Sequence, residues 1–157
     1  MREVLAIITT IYLIVIAWQD LKERKIYTFP CTMLNALWGI EIEMRLEMPW
    51  YVFLGYMAVC MALYALFTFR NIWGAGDSDL FLLFAVIFFS FAGETYTITS
   101  LCLEIMLFAT ALGSALVFAW IEAKVTRTKL NKNSAIAVAP GFAVVMIALI
   151  WKGVMGC

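Results

Sequence analysis

The sequence predicts an all-α, polytopic membrane protein with six transmembrane helices and both termini outside. Of its 157 residues, 65% are hydrophobic and only 14% are charged, whereas soluble domains contain about 45–50% apolar and about 25% charged residues. The mean hydropathy of +0.96 agrees, and apolar runs recur at lengths close to those of membrane-spanning helices. No linker or repeat divides the chain, so residues 1–157 are expected to form one membrane-embedded domain with the lipid bilayer as a partner.

Six apolar runs, joined by short polar connections, approach the roughly 20 residues that a bilayer-spanning helix needs. The second and fourth runs are the weakest, because they are the shortest. No small-x-small cleavage site precedes Asp20, so the first run is expected to be a retained span and not a signal peptide. The runs are, in order, Val4–Gln19, Phe29–Ile42, Trp50–Phe69, Leu80–Gly93, Tyr96–Ile121 and Ala135–Trp151.

Positive charge is concentrated in the loops that follow the first, third and fifth runs. Those loops hold eight Lys and Arg residues, against three on the opposite side. Because cytoplasmic loops are enriched in Lys and Arg, this asymmetry predicts that they face the cytoplasm from the inner or plasma membrane. The eight are Lys22, Arg24, Lys25, Arg70, Lys124, Arg127, Lys129 and Lys132; the three are Arg2, Arg45 and Lys152. Glu41, Glu43 and Glu47 lie on the outer side.

Several functional classes are excluded by composition. The formal net charge is zero, so nothing indicates a nucleic-acid partner. Histidine is absent, which removes His-based zinc sites, Ser-His-Asp triads and Cys-His dyads. The four cysteines are scattered and form no CxxC pair, so neither a metal nor another cofactor is expected. Any hydrolytic chemistry would have to come from carboxyl groups, Ser/Thr or Lys.

Two aspartates lie at predicted helix ends on the cytoplasmic side. Asp20 follows the first run, and Asp77 precedes the fourth. If the bundle brings the two helix ends together, the two carboxyl groups can share one proton, because neighbouring like charges cannot both ionise. The ionised member would then take a proton from water while the neutral member donates to a substrate carbonyl oxygen. That chemistry hydrolyses a peptide without histidine or metal.

Each aspartate also has a purely structural interpretation. Asp20 alone is an ordinary charged flank of a membrane helix, and Asp77 alone is a suitable helix N-cap. Asp79 could cap the same helix, and helical positions two apart point about 200° from each other, so only one of the pair can face Asp20. Gly74 and Gly76 permit a tighter turn and a closer chain approach than a simple cap requires.

Three segments together resemble the prepilin peptidases, a family of membrane aspartyl proteases. GAGD at 74–77 matches the GxGD signature of such proteases, and Asp20-Leu-Lys-Glu-Arg-Lys-Ile26 is similar to the family pattern D-x-R-x-x-x-I-P-N. Near the C-terminus, KNSAIAVAPGFAVVM resembles the closing segment, where a basic loop leads into a helix carrying Pro. The resemblance implies that Asp20 and Asp77 are catalytic, supported by the motif residues Lys22, Ile26, Gly74, Gly76 and Pro140.

Departures from the family pattern limit which properties of the family the resemblance implies for this chain. Tyr27 and Thr28 stand where Pro and Asn are common, and Asp79 replaces the usual Lys, so no role of that Lys carries over. The zinc-binding segment of the larger members is absent, so the chain resembles the small, protease-only members that serve tight-adherence (Flp-type) pili. The implied partners are prepilins and pseudopilins, cleaved after a short basic leader at the cytoplasmic face. Neither N-methylation nor an oligomeric state is implied.

Two further features leave alternatives open. Pro140-Gly141, inside the predicted sixth span, would free a backbone carbonyl one turn earlier, either to pair with an extended substrate segment or simply as a packing kink. Glu104, inside the fifth run, is a carboxyl with a functional partner, a proton carrier, or an acid near the outer end. The alternative functions are a small proton-coupled transporter that uses Glu104 and a structural subunit in which GAGD is only a tight turn. A presenilin-type protease is disfavoured, because Trp50–Phe69 contains no acidic residue.

Overall fold

The computed structural model describes residues 2–45, 49–70, 73–92, 96–126 and 136–155, and these form six α-helices. The all-α fold class predicted from the apolar runs is therefore confirmed. The helices are α1 (Arg2–Glu23), α2 (Thr28–Arg45), α3 (Trp50–Phe69), α4 (Ala75–Ala92), α5 (Ile98–Thr126) and α6 (Ala139–Met155).

The helix boundaries differ most from the sequence prediction at α4 and α6. The fourth helix begins at Ala75, before the predicted start at Leu80. Its first turns therefore include Asp77 and Asp79. The sixth begins at Ala139, four residues after the predicted start. Several positions used in the prediction lie outside the described residues: Glu47, Gly93, Arg127, Lys129, Lys132 and Ala135.

Four of the described helices, α1, α3, α4 and α5, are long and apolar enough to cross a bilayer. The sixth is apolar but has only 17 residues. The second falls short because its sequence includes Asn35, Glu41, Glu43 and Arg45. Four such helices indicate a membrane protein with the bilayer as its environment.

Equally apolar helices occupy very different places in the bundle. In α4, 67% of the most apolar window is buried, whereas in α3 the share is 6%. The fourth helix packs against α2, α3 and α6, and α6 also packs against α1 and α5. A helix that is apolar all round and buried forms the centre of the bundle, while the large side chains of α3 face outward as they would towards lipid.

Polar side chains join α2 to the helices beside it. Trp38 Nε1 donates to Thr9 Oγ1 at 3.0 Å, which joins α2 to α1. At the opposite end of the bundle from the aspartates, buried Glu41 accepts from Ser90 Oγ at 2.8 Å and from Arg45 Nε at 3.0 Å. These bonds fix the side-by-side register of α2 with α1 and α4, so the aspartate-bearing ends of α1 and α4 are held at a defined height.

Candidate active site

Asp20 lies at the end of α1 and is almost fully buried, with 5% of its surface exposed. Its Oδ2 accepts a hydrogen bond of 3.0 Å from the backbone N–H of Ala139, the first residue of α6. A helix N-terminus offers unpaired N–H donors and the positive end of the helix dipole, so it suits a carboxylate. The side chain of Asp20 therefore joins the end of α1 to the start of α6.

Asp77 lies in the first turn of α4, where its carboxyl accepts the backbone N–H of Gly74. This is the acidic half of a capping box, in which a residue of the first turn bonds back to the residue preceding the helix. The Gly74 carbonyl accepts from the N–H of Ser78 at 3.1 Å and from its hydroxyl at 3.2 Å. Asp77 is therefore not the N-cap that the sequence predicted, because α4 begins at Ala75 and Asp77 is its third residue.

The two aspartates line the same small cavity, of about 180 Å³. They are close enough for an electrostatic interaction between their carboxyl groups. Capping alone would not require two acids to share a cavity, because two like charges at one place repel each other. The residues lining the cavity are Asp20, Arg24, Ile26, Gly74, Gly76, Asp77 and Ile136.

Arg24, which the sequence predicts only to mark the cytoplasmic side, brings a positive charge to this cavity. Its N–H donates to the Asp20 carbonyl at 3.1 Å, and its backbone is left-handed, with φ of 54°, where α1 ends. Its guanidinium forms an ion pair with Glu122 of α5 at 2.5 Å. No sequence pattern signals this pair, because its members are 98 residues apart.

Gly76 and Ile26, both assigned to the motif, are in direct contact. A Cβ at position 76 would lie 2.5 Å from Ile26 Cβ and 2.9 Å from the Ile26 carbonyl oxygen. Side-chain carbons do not approach backbone atoms so closely, so only glycine fits at this position. The absence of a side chain lets the first turn of α4 approach the loop after α1, which brings Asp77 towards Asp20.

The remaining motif residues have different positions. Lys22 is exposed in the last turn of α1 and does not line the cavity. Gly74 is exposed, and a Cβ there would meet Asp77 Oδ2 only at 3.4 Å, an ordinary contact. Asp79 does not line the cavity, and its carboxyl interacts with the side chains of Thr28 and Tyr64. The choice left open by the two-residue spacing is thereby resolved, since Asp77 is the acid that shares a cavity with Asp20.

Both interpretations of Pro140 within the sixth span are wrong, because the helix starts at Ala139 and no helical turn precedes the proline. In the first turn of a helix the missing N–H costs nothing, so Pro140 initiates α6 and neither kinks it nor frees a carbonyl inside it. The adjacent Gly141 allows close packing, since any Cβ there would collide with the backbone of α5 at Ala111 and Ala115. These two residues position the N–H of Ala139 that bonds Asp20.

Glu104 belongs to a separate cleft between α3 and α5, with α4 as its floor. The Tyr56 hydroxyl donates to Glu104 Oε1 at 2.5 Å, and the Tyr96 hydroxyl donates to Oε2 at 2.6 Å. This cleft has a volume of about 650 Å³ and is lined mainly by aromatic and aliphatic side chains. Both oxygens of Glu104 therefore accept hydrogen bonds from tyrosines, and no pattern in the sequence predicts this arrangement.

The fold and this site define a helical membrane protein with a pair of convergent carboxyl groups at one end of the bundle. No family model, curated protein or solved structure matches the chain.

Proposed function

We propose that this protein is a membrane aspartic endopeptidase that cleaves the basic leader from type IV prepilin-like proteins at the cytoplasmic face. The observation that carries the proposal is the convergence of Asp20 and Asp77, which are 57 positions apart in the sequence, on one cavity of about 180 Å³. The GAGD and Asp20–Ile26 segments support it through their resemblance to prepilin peptidases. Contact between Gly76 and Ile26, one residue from each segment, adds to that support.

The chemistry follows from two carboxyl groups that hold one proton between them. The ionised member takes a proton from a water molecule, and the resulting hydroxide attacks the scissile carbonyl carbon. The neutral member donates its proton to the carbonyl oxygen, which gives a tetrahedral intermediate and reverses the protonation of the pair. The newly protonated member then donates to the leaving nitrogen while the other takes a proton from a hydroxyl group of the intermediate, so that the C–N bond breaks and the pair returns to its starting protonation. The cavity is large enough for the attacking water.

The proposed orientation has six spans, with Asp20, Asp77 and the start of α6 on the cytoplasmic side. The distribution of Lys and Arg supports it, and so does the position of the cavity at the ends of α1, α4 and α6. Reporter fusions after Lys25 and after Lys129 are expected to report cytoplasm, and a fusion after Glu47 is expected to report the outside. A cytoplasmic signal at Glu47 would remove the second span and contradict the six-span topology.

Co-expression with a prepilin-like substrate tests the activity. The substrate needs a short basic leader followed by a hydrophobic helix, and its cleavage is read as an increase in electrophoretic mobility. We expect cleavage by the wild-type protein, with a bell-shaped pH profile, because activity is lost when both carboxyl groups of the pair are protonated or both are ionised. Chelators are expected to have no effect. Activity that is lost on chelation and restored by zinc would contradict the two-aspartate mechanism.

A further inference from the structure

Arg24 has a backbone conformation that its residue type disfavours. It follows the last residue of α1 with a left-handed φ of 54°, and its N–H donates to the Asp20 carbonyl at 3.1 Å. Glycine, and less often asparagine, ends helices in this conformation, because a Cβ is strained there. Among the described residues, Arg24 is the one non-glycine residue with a positive φ. Strain of this kind points to a role for the side chain.

The Arg24 side chain is shared between the aspartate cavity and α5. It lines the cavity together with Asp20 and Asp77, and its guanidinium pairs with Glu122 of α5. Arg24 and Glu122 are both close enough to Asp20 to interact with its carboxyl electrostatically. The charge that acts on Asp77 is that of Asp20. A positive charge beside one carboxyl group stabilises its ionised form, so Arg24 favours a negative charge on Asp20.

The backbone donors around the two carboxyl groups are also unequal. Asp20 accepts from the N–H of Ala139 at 3.0 Å and also interacts with the backbone of Val138, at the start of α6. Asp77 accepts from the N–H of Gly74. Hydrogen bonds and the positive end of a helix dipole both stabilise an ionised carboxylate. When the pair holds a single proton, these contacts favour its position on Asp77.

The charged groups that act on Asp20 come from three elements. They are Arg24 from the loop after α1, Asp77 from α4 and Glu122 from α5. The described start of α6 contacts Asp20 through its backbone. Helix α2 also packs against α1, but its acidic and basic residues, at positions 41–45, lie at its opposite end. Within this set of described groups, Arg24 is the cation.

We propose that Arg24 is a positioning residue that keeps the negative charge of the aspartate pair on Asp20 and the shared proton on Asp77. This assignment, which rests on the proposed peptidase function, divides the roles within the pair. Asp20 is the base that takes a proton from water, and Asp77 is the acid that donates to the substrate carbonyl oxygen. Glu122 opposes Arg24, because it partly neutralises the guanidinium and adds a negative charge near Asp20.

Carboxyl titration by carbon-13 nuclear magnetic resonance tests the proposal without a substrate. The chain contains three aspartates, Asp20, Asp77 and Asp79. Labelling of aspartate Cγ therefore gives three signals, each assigned by its loss in an Asp→Asn variant. In the detergent-solubilised full-length protein, we expect Asp20 to ionise before Asp77 as the pH rises. Because coupled carboxyl groups titrate in shared steps, the order is read from which signal changes more in the first step. The reverse order would overturn the proposal.

Substitutions of opposite effect test the part played by Arg24. Arg24→Asn removes the charge and keeps a residue that tolerates a left-handed backbone. It should raise the Asp20 midpoint by about 0.5–1 pH unit, and Glu122→Gln should lower it by about as much. Arg24→Lys keeps the charge and should restore most of the wild-type midpoint. Lys25→Gln is the matched control, since Lys25 is the next residue but does not line the cavity. An Asp20 midpoint that moves in neither Arg24→Asn nor Glu122→Gln would overturn the proposal.

The pH profile of prepilin cleavage is the second readout. Activity falls on the acid side when Asp20 takes up a proton, so Arg24→Asn should move that side to higher pH and Glu122→Gln to lower pH. Unchanged profiles in variants that cleave would overturn the role of Arg24 and leave the peptidase proposal standing. A wild-type protein that cleaves no prepilin-like substrate, but whose Asp20 signal responds to Arg24→Asn, would contradict the peptidase proposal alone.

Discussion

The cavity at Asp20 and Asp77 and the cleft at Glu104 both contain carboxyl groups, but they differ in size and in the number of acids that line them. In the cleft, each oxygen of Glu104 accepts from a tyrosine hydroxyl, within about 650 Å³ of mostly apolar lining. The cavity of about 180 Å³ is lined by two carboxyl-bearing residues, Asp20 and Asp77. The smaller space carries the better case for chemistry, because two acids line it, whereas Glu104 is the single acid among the residues that line the cleft. Cavity size is therefore a poor guide to function here.

The largest effect is expected from removing either aspartate of the cavity. Asp20→Asn and Asp77→Asn should each lower the rate of prepilin cleavage by at least about 100-fold, because one carboxyl group cannot both activate water and donate a proton. The measurement is the mobility shift of a co-expressed substrate, with membrane insertion of each variant checked by fractionation. Glu104→Gln is the matched control and should stay within about threefold of the wild type. Full activity in either aspartate variant would disprove the two-aspartate assignment.

A smaller effect is expected from closing the space at Gly76. Gly76→Ala should destabilise the protein by about 1–3 kcal/mol, because its Cβ would overlap Ile26. It should also reduce cleavage, since the first turn of α4 must move away from the loop after α1. Gly55→Ala is the control, because a Cβ at position 55 meets no atom within 4 Å. Equal unfolding midpoints for the two variants would argue against the close approach.

In the Glu104 cleft, we expect an effect on stability without an effect on cleavage. Tyr96→Phe leaves Glu104 Oε2 without its donor, which should cost about 1–3 kcal/mol. Partial burial and the hydrogen bond to Glu104 raise the pKa of Tyr96 above its usual value, so the hydroxyl stays protonated as a donor. Thermal unfolding and the cleavage assay are measured together, with the exposed Tyr51→Phe as control. A large loss of cleavage with unchanged stability would show that the Glu104 cleft takes part in cleavage.

The smallest effect is expected at the ion pair of Arg24 and Glu122. Both side chains are about one-third exposed, at 32% and 31%, so their coupling should be only about 0.2–1 kcal/mol. A double-mutant cycle with Arg24→Gln and Glu122→Gln measures it by chemical unfolding at low and high salt. The coupling should shrink in high salt, because screening weakens exposed pairs. A salt-independent coupling above this range would show that the pair is more deeply enclosed than its exposure indicates.

The four apolar helices long enough to span a bilayer could be read from the sequence, because membrane helices are specified by local composition. The third run matched its helix, Trp50–Phe69, at both ends. The predicted starts of the fourth and sixth helices were wrong. A helix start depends on which groups bond the unpaired backbone N–H donors of the first turn, and those groups cannot be identified from local hydropathy. Asp77 bonds back to Gly74, the residue before α4, and the N–H of Ala139 bonds Asp20 across the bundle. The second of these bonds joins residues 119 positions apart, and no local pattern predicts it.

By itself, the sequence determined the helical class, the bilayer environment and the two short segments that carry Asp20 and Asp77. Only the tertiary structure decided that Asp77, and not Asp79, shares a cavity with Asp20, and that Glu104 is satisfied by Tyr56 and Tyr96. The reason is physical: hydropathy is summed over neighbouring residues along the chain. The direction of a side chain two positions further along a helix depends on how that helix is rotated against its neighbours. That rotation is set by contacts between distant residues, such as the approach of Gly76 to Ile26.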